Sequence, residues 1–310
     1  MKKSIKRIFK NIGLEVRRVP KPPVANKEPK QYTIVFGPYS LKTDNESLSV
    51  NYIRHPENNQ VLARLGRLVS RHFPLSGIID IGANCGDTGA LLRSVCSLPI
   101  LCVEGDPHLL QQLVSNTAPW PDITILPEYL GEHTQEVAME IQKQGWNNTL
   151  VPKSGTGKSV TLRRLDEITI PWLKEHAVSF LKCDTEGFDN AILFGARGLL
   201  SRDHPVLLFE YNRENMQMIN EDGLRIFPYL EQLDYDLLIF YDDGGRMILS
   251  TDTHQTSLIR DVHDYADGEH GIYYYDIVAF PRKLYSVAEE FLAVERAHRA
   301  NPTSLNRNGQ

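Results

Sequence analysis

Short apolar runs alternate with amphipathic segments through the middle of the chain. The runs are four to six residues long and occur at 77–81, 100–103, 123–126, 178–183 and 206–209. Runs of this length are typical of strands buried on both faces, and most are followed by residues with helical spacing. Alternating strands and helices indicate a parallel sheet covered by helices on both sides. The pattern therefore predicts an α/β domain.

The later part of the chain departs from this alternation. Apolar residues at 237–241 and 247–249 flank an Asp-Gly-Gly turn, which predicts two strands joined tightly. A further run at 273–280 ends just before Pro281 and predicts a late strand. We therefore predict a Rossmann-like α/β fold whose mostly parallel sheet carries an antiparallel late strand.

Breaks in the pattern divide the chain into parts. Residues 1–30 combine a basic segment of helical spacing with a proline-rich linker, and 31–76 form an extension that ends in a lead-in helix. The main domain spans 77–285, with a small insertion of strands at 131–165 where apolar and polar residues alternate. Residues 286–310 are predicted to form a helix and a polar tail.

Charge separates the start of the chain from the rest. The net charge is −5, but residues 1–30 hold ten Lys and Arg against two Glu, which leaves −13 for the remainder. An acidic body argues against a nucleic-acid partner, because phosphate binding needs a basic surface. Four cysteines without paired spacing, no secretory signal and no apolar run of about 20 residues favour a cytoplasmic protein.

The basic start has two interpretations. Ile5, Ile8, Phe9 and Ile12 fall on one face of a helix, with lysines and arginines elsewhere. Residues 1–19 are therefore a candidate for peripheral contact with an anionic inner membrane surface. The alternative is a solvated basic helix that packs on the domain.

The first strand of the main domain runs into the turn Asp80-Ile81-Gly82-Ala83-Asn84-Cys85-Gly86. Glycines in a strand-to-helix turn let the backbone approach a ligand. A dinucleotide site would have G-x-G-x-x-G, whereas the spacing here is G-x-x-x-G with an acid before it. The amides of the turn would bind a carboxylate, and Asp80 or a bound water would bind an ammonium. The methionine end of S-adenosylmethionine carries both of these groups. We therefore assign the cofactor contacts to Asp80, Gly82, Ala83, Asn84 and Gly86.

Glu104 ends the second strand, 24 residues after Asp80. A carboxylate at this position can accept hydrogen bonds from both hydroxyls of a ribose, as in dinucleotide-binding folds. Either acid alone is a weak sign, because acids often end strands for structural reasons. The two in this order predict a nucleoside site.

The strand at 178–183 leads into Asp184-Thr185-Glu186-Gly187. Ligands of open α/β sheets bind beyond the carboxyl ends of the strands, so Asp184 and Glu186 are the candidates for a general base. The alternative is that one of them caps the following helix. Glu210, which ends the next strand, is a weaker candidate at the same edge.

The chain resembles the FkbM family of methyltransferases over roughly residues 57–280. Four blocks carry the resemblance: IIDIGANCGDTG (78–89), LCVEGDP (101–107), RRLDEI (163–168) and FLKCDTEGFDNAILFGARGLL (180–200). It implies a class I methyltransferase fold, S-adenosylmethionine as cofactor and an oxygen acceptor, often a sugar hydroxyl. Gly105 departs from the family pattern, where Pro is usual, and Cys183 stands where an aliphatic residue is commoner.

We therefore predict an S-adenosylmethionine-dependent O-methyltransferase that acts on a hydroxyl of a sugar, glycan or related small metabolite, with Asp184 or Glu186 as base. The absence of an Asn/Asp-Pro-Pro-aromatic segment after the fourth strand argues against methylation of the amino groups of bases. Two alternatives remain, a nicotinamide-dependent oxidoreductase and a non-catalytic cofactor-binding module. We assign no metal ligands. The polar loop with His263, Asp264, Asp267, Glu269 and His270 could hold a metal, but without tight ligand spacing we expect it to be solvated or to shape the acceptor site.

Overall fold

The structure, a computed structural model, describes residues 30–55, 59–144, 147–152, 158–266 and 272–300. The basic segment 1–19 and the tail after residue 300 lie outside these ranges, so both interpretations of the basic segment remain predictions. None of the helices in the described ranges combines the length and apolar character that a bilayer span requires.

Fourteen strands occur in the described ranges. They are β1 (Tyr32–Phe36), β2 (Tyr39–Thr43), β3 (Gly77–Ile81), β4 (Ile100–Val103), β5 (Ile123–Leu126), β6 (Tyr129–Leu130), β7 (Gln135–Gln144), β8 (Asn147–Pro152), β9 (Lys158–Arg163), β10 (Val178–Cys183), β11 (Val206–Tyr211), β12 (Tyr235–Tyr241), β13 (Met247–Asp252) and β14 (Tyr275–Pro281).

The same ranges contain twelve α-helices. They are α1 (Glu46–Arg54), α2 (Gln60–His72), α3 (Asp87–Arg93), α4 (Pro107–Thr117), α5 (Leu165–Ile168), α6 (Ile170–Leu173), α7 (Asp189–Phe194), α8 (Arg197–Asp203), α9 (Arg213–Met218), α10 (Ile226–Gln232), α11 (Thr256–Tyr265) and α12 (Tyr285–Ala300). Short 3₁₀ turns lie at Gly223–Arg225 and Arg282–Leu284.

An eight-stranded sheet forms the centre of the fold, in the order β13-β12-β14-β11-β10-β3-β4-β5. The strands from β11 to β5 are parallel, whereas β14 pairs antiparallel with both β11 and β12. The prediction of a mostly parallel α/β sheet with an antiparallel late strand is thus confirmed. The strand order reverses between β3 and β10, and open sheets bind ligands outside the carboxyl ends of such strands.

The central strands form because they are apolar on both faces. Every residue of β3, β10 and β11 is buried. Successive residues face opposite sides, so Ile79 and Leu181 enter one core while Ile78 and Phe180 enter the other. Helices cover both cores, which leaves the carboxyl edge of the sheet for polar groups.

The strands β6, β7, β8 and β9 form a separate four-stranded sheet in the order β6-β9-β7-β8. This sheet lies where we predicted a strand insertion. The hairpin of β1 and β2 was not predicted, although Tyr32, Ile34 and Phe36 alternate with polar or exposed positions before a turn at Gly37. That period of two was the signal for a strand.

The spacing of apolar residues near 190–200 predicts one helix, whereas the structure has two, α7 and α8. The break lies at Gly195, whose position leaves no room for a Cβ beside the carbonyl oxygen of Gly131. The backbone of residue 131 thus lies against the point where α7 ends. The prediction was wrong because the close backbone approach has no counterpart in the hydrophobic spacing.

Lys182 connects the carboxyl ends of β3 and β10 from inside the sheet. The residue is 4% exposed, and its Nζ lies 3.4 Å from Asp80 Oδ1 and 3.5 Å from Asp184 Oδ2. Nζ also donates to the carbonyl oxygen of Gly82 at 3.2 Å. Burial alone would lower the pKa of Lys182, but Asp184 and Asp80 outweigh it and raise the pKa above its ordinary value. The ammonium therefore stays charged and holds both strand ends.

We expect Lys182→Met to lower the free energy of unfolding by about 3–5 kcal/mol, because it leaves the buried Asp80 carboxylate without its cation. Urea denaturation followed by circular dichroism measures the loss. The matched control is Lys174→Met, an exposed lysine, for which a change within about 0.5 kcal/mol is expected. Adding Asp80→Asn to Lys182→Met should recover part of the loss. A loss no larger than that of the control would contradict the pairing.

Candidate cofactor and acceptor site

A cavity of about 660 Å³ opens at the carboxyl ends of the central strands. Its volume is within the usual range for small-molecule sites. Gly82 and Asn84 of the first turn, Glu104 after β4, and Asp184 and Glu186 after β10 all line it. The structure thus brings together residues that were assigned separately from three segments of the sequence.

Glu104 is held in place by the backbone. Its Oε2 accepts from the N–H of Asn84 at 2.9 Å, and its Oε1 accepts from the N–H of Asp106 at 2.8 Å. Each oxygen keeps a second lone pair for a ligand. Gly105 leaves no room for a Cβ against the ring of Tyr129, so the aromatic ring packs onto the backbone beside this acid. A flat apolar wall next to a fixed carboxylate fits an adenosine.

Burial changes the acidity of Glu104. Desolvation raises its pKa to about 7, although the N–H groups of Asp106 and Asn84 lower it. The side chain is therefore ionised above neutral pH and protonated below it. Its capacity to accept hydrogen bonds from ribose hydroxyls consequently changes within the physiological range.

The turn after β3 uses its own amides within the protein. The N–H groups of Gly82 and Ala83 both donate to the carbonyl of Val103, at 3.0 and 3.1 Å, and that of Gly86 donates to Ala83 at 2.8 Å. These bonds join the ends of β3 and β4. A ligand carboxylate would have to compete with these protein acceptors for the same N–H groups.

Three of the residues assigned from the sequence lie behind the cavity surface. Asp80 is fully buried, and its Oδ2 accepts from Thr88 Oγ1 at 2.6 Å while Lys182 faces its Oδ1. Ala83 is also buried, and Gly86 begins α3 with a φ of 97°. None of these three is among the residues that line the cavity. The structure gives them supporting positions, and their contact with a cofactor stays a prediction.

The turn after β10 has a conformation that brings α9 close. Glu186 has a φ of 57° and Gly187 a φ of 106°. The left-handed region costs a non-glycine residue about 1–2 kcal/mol, and such strain is a reason to suspect function. A Cβ on Gly187 would lie 2.7 Å from Cβ of Asn215. Because residue 187 is glycine, Asn215 approaches closely enough for its Nδ2 to donate to Glu186 Oε2 at 3.1 Å.

Neither Asp184 nor Glu186 caps the following helix. The N-cap of α7 is Phe188, and it makes no side-chain cap hydrogen bond. Asp189 instead accepts from the N–H groups of Thr185 and Gly187 and from Thr185 Oγ1. The structure removes the capping alternative and leaves both acids at the cavity.

Acids gather at this end of the cavity. Glu210 on β11 lies with Asp184 and Glu186, and one carboxylate oxygen of each lies within 4.8 Å of the others. Burial, Glu186 and Asp184 raise the pKa of Glu210 well above its usual range. Asp276 faces Glu210 across the β11–β14 ladder, and burial and Asp184 raise its pKa to about 8. So many carboxylates favour a proton or a cation among them.

Part of the cavity wall comes from residues that were not predicted from the sequence. Tyr52 of α1 donates to Asp87 Oδ2 at 2.7 Å and accepts from Asn59 Nδ2 at 3.1 Å. All three residues line the cavity, together with Asp276 of β14. Asp87 is within the block DIGANCGD and could have been suspected, whereas the extension carried no pattern that points to a ligand.

A family model matches the part of the chain that contains most of this site. The model of the methyltransferase FkbM domain matches residues 80–237, just over half of the chain. No protein with a curated description matched the sequence.

Solved structures of methyltransferases resemble the chain more distantly. The FkbM methyltransferase of Methylobacillus flagellatus KT is 21% identical, with a TM-score of 0.37 and 57% of this chain covered. This chain spans 43% of the length of that relative. The fibrillarin pre-rRNA processing protein of Methanococcus jannaschii is 10% identical at a TM-score of 0.40, covering 84% of this chain and 86% of its own.

The N-methyltransferase NodS of Bradyrhizobium japonicum WM9, solved with S-adenosyl-L-homocysteine, is 9% identical at a TM-score of 0.39. The match covers 74% of this chain and 90% of NodS. These proteins differ in their named roles. The similarities therefore give no information about the acceptor of this chain. The order of the strands in the sheet confirms the Rossmann-like fold, and the family match shows that the chain belongs to the FkbM family of S-adenosylmethionine-dependent methyltransferases.

Proposed function

We propose that this chain transfers the methyl group of S-adenosylmethionine to a hydroxyl oxygen of a sugar, glycan or related small metabolite. The observation that carries the proposal is a single cavity with Glu104 on one side of β3 and Asp184 and Glu186 on the other. A nucleoside-binding acid and a pair of acids near the acceptor are the parts that such a transfer needs.

The cofactor would bind in the part of the cavity next to β4. Glu104, fixed by two backbone N–H groups, accepts the ribose hydroxyls, and the ring of Tyr129 lies beside it. When bound, S-adenosylmethionine supplies a methyl group on a positively charged sulfur, which is already activated for transfer. The protein therefore has to align the acceptor rather than activate the donor, and alignment can supply much of the rate.

The proton of the acceptor hydroxyl goes to the acids after β10. Asp184 Oδ2 lies 3.5 Å from Lys182 Nζ, which holds the carboxylate in place. Glu186 is oriented by Asn215. Either carboxylate can accept the hydroxyl proton as the carbon–oxygen bond forms, and we keep both as candidates for the base.

The chemistry of the wall favours a neutral, hydroxyl-rich acceptor. The acids of this end include Glu210, Asp243 and Asp276, and Asn212 and Tyr273 also line the cavity. Carboxylate and amide oxygens accept hydrogen bonds from hydroxyls, whereas they repel phosphates. We therefore propose a small-molecule or glycan acceptor and no nucleic acid.

The reaction is tested with radiolabelled S-adenosylmethionine and fractions of a cell extract, followed by mass spectrometry of the labelled product. We expect one added methyl group on an oxygen of a hydroxyl-rich compound. Label on a nitrogen or on nucleic acid would overturn the acceptor class. Titration calorimetry that detects NAD binding but no S-adenosylhomocysteine binding would overturn the assignment of S-adenosylmethionine as the cofactor.

We expect the affinity for S-adenosylhomocysteine to rise with pH as Glu104 ionises. With a pKa of about 7, about one tenth of this carboxyl is ionised at pH 6 and most of it is ionised at pH 8. Binding of S-adenosylhomocysteine should therefore be roughly tenfold weaker at pH 6 than at pH 8. Titration calorimetry at pH 6, 7 and 8 measures the change. Glu104→Gln should bind more weakly and show no such slope. An equal slope in this variant would exclude Glu104 as its source.

Replacing the base by its amide should slow turnover by about 10²–10⁴. The two variants are Asp184→Asn and Glu186→Gln, assayed with the identified acceptor. Affinity for S-adenosylhomocysteine should change little, because the lost proton transfer matters only in the transition state. Glu214→Gln, on the same cavity wall, is the control. Near-normal turnover in both amide variants would contradict the assignment and make Glu210 the next acid to test.

A further inference from the structure

Three carboxylates from two separate strand ends converge in the cavity. Asp184 and Glu186 come from the turn after β10, and Glu210 comes from β11. One oxygen of each lies within 4.8 Å of the others. The cluster contains no His or Cys, so oxygen is its only donor type.

Glu210 shows that the cluster is more than a group of exposed acids. It is 6% exposed, lies between the buried Phe209 and Tyr211, and lines the cavity. Its Oε1 is buried and has no hydrogen-bond partner among the residues that the structure describes. A buried carboxylate oxygen without a donor is costly, unless a ligand compensates its charge.

The cation that contacts the cluster is shared with another acid. Lys182 Nζ lies 3.5 Å from Asp184 and 3.4 Å from Asp80. Among the described residues, Glu186 accepts a hydrogen bond from the neutral amide of Asn215. Asp276, opposite Glu210 in the β11–β14 ladder, adds a further acid. The cluster is therefore complementary to a compact positive charge.

We propose that Asp184, Glu186 and Glu210 form a binding site for a hard divalent cation such as Mg²⁺, Mn²⁺ or Ca²⁺. Oxygen donors without nitrogen or sulfur select this class of cation. Octahedral ligands at about 2.1 Å place opposite oxygens about 4.2 Å apart, and calcium ligands at about 2.4 Å place them about 4.8 Å apart. The spread of the three oxygens therefore matches one shared ion. No metal ligand was predicted from the sequence, in which Glu210 lies 24 residues beyond Glu186 and nothing marks the two as neighbours.

The site goes beyond the proposed methyl transfer, because its existence depends only on the protein's own carboxylates. If the acceptor binds where proposed, the cation would bind its hydroxyl and lower the pKa of that hydroxyl. Glu210 is the diagnostic residue, since it is not one of the two residues proposed as base.

The test is a titration of the full chain, stripped with EDTA and desalted, with MnCl₂, in which electron paramagnetic resonance counts the free Mn²⁺. We expect one saturable site per chain, from which excess Mg²⁺ or Ca²⁺ displaces Mn²⁺. Glu210→Gln should weaken binding at least tenfold. Glu186→Gln, whose residue is less buried, should do the same if the first variant does not fold. Glu128→Gln, on the cavity wall outside the cluster, should stay within twofold of the unchanged protein.

Absence of saturable Mn²⁺ binding to the folded protein would overturn the proposal, as would equal affinity in Glu210→Gln, Glu186→Gln and the control. Calorimetry with S-adenosylhomocysteine in the presence of EDTA tests the cofactor site separately. Failure of the cation site would therefore leave cofactor binding intact, and failure of cofactor binding would leave the Mn²⁺ result unaffected.

Discussion

The charge balance around Lys182 is the interaction on which the carboxyl edge of the sheet depends. Lys182 and Asp80 are register partners on β10 and β3, and both are buried. Neither charge can be removed alone without leaving the other uncompensated in a medium of low dielectric. The turns that follow the two strands start from fixed points for this reason. The turn after β3 and the turn after β10 are thus held together by the same charge pair.

Two glycines let the turns at this edge of the sheet lie close to each other and to α9. Gly82 has a φ of 71° and leaves no room for a Cβ beside the carbonyl oxygen of Asp184, so the turns after β3 and β10 lie in contact. Gly187 allows the same closeness to Asn215. Glycine at these two positions lets three strand ends present their polar groups to a single cavity. Larger side chains would separate the turns before any ligand entered.

The sequence predicted the parts that depend on local pattern. The bounds of β3, β4, β5 and β10 agree with the apolar runs. For β3, β4 and β10 the reason is that a strand buried on both faces has a signal in its own residues. The role of Lys182 was missed, since a lysine inside an apolar run has no sign that shows its partner. The convergence of Glu210 with the acids after β10 depends on strand adjacency. Periodicity also cannot show that Asp80 faces Lys182 and Thr88 rather than the cavity.

The position of β14 has a consequence for how the domain is delimited. The segment 80–237, which matches the family, ends before this strand, yet β14 lies between β11 and β12 in the sheet. A fragment cut at those limits would present the apolar β11 as an unprotected edge, ready to pair with another chain. It would also lack Tyr52 from the cavity wall. The smallest piece that could fold with this cavity intact is therefore longer than the segment that matches the family, and fragment design should begin before α1 and continue past β14.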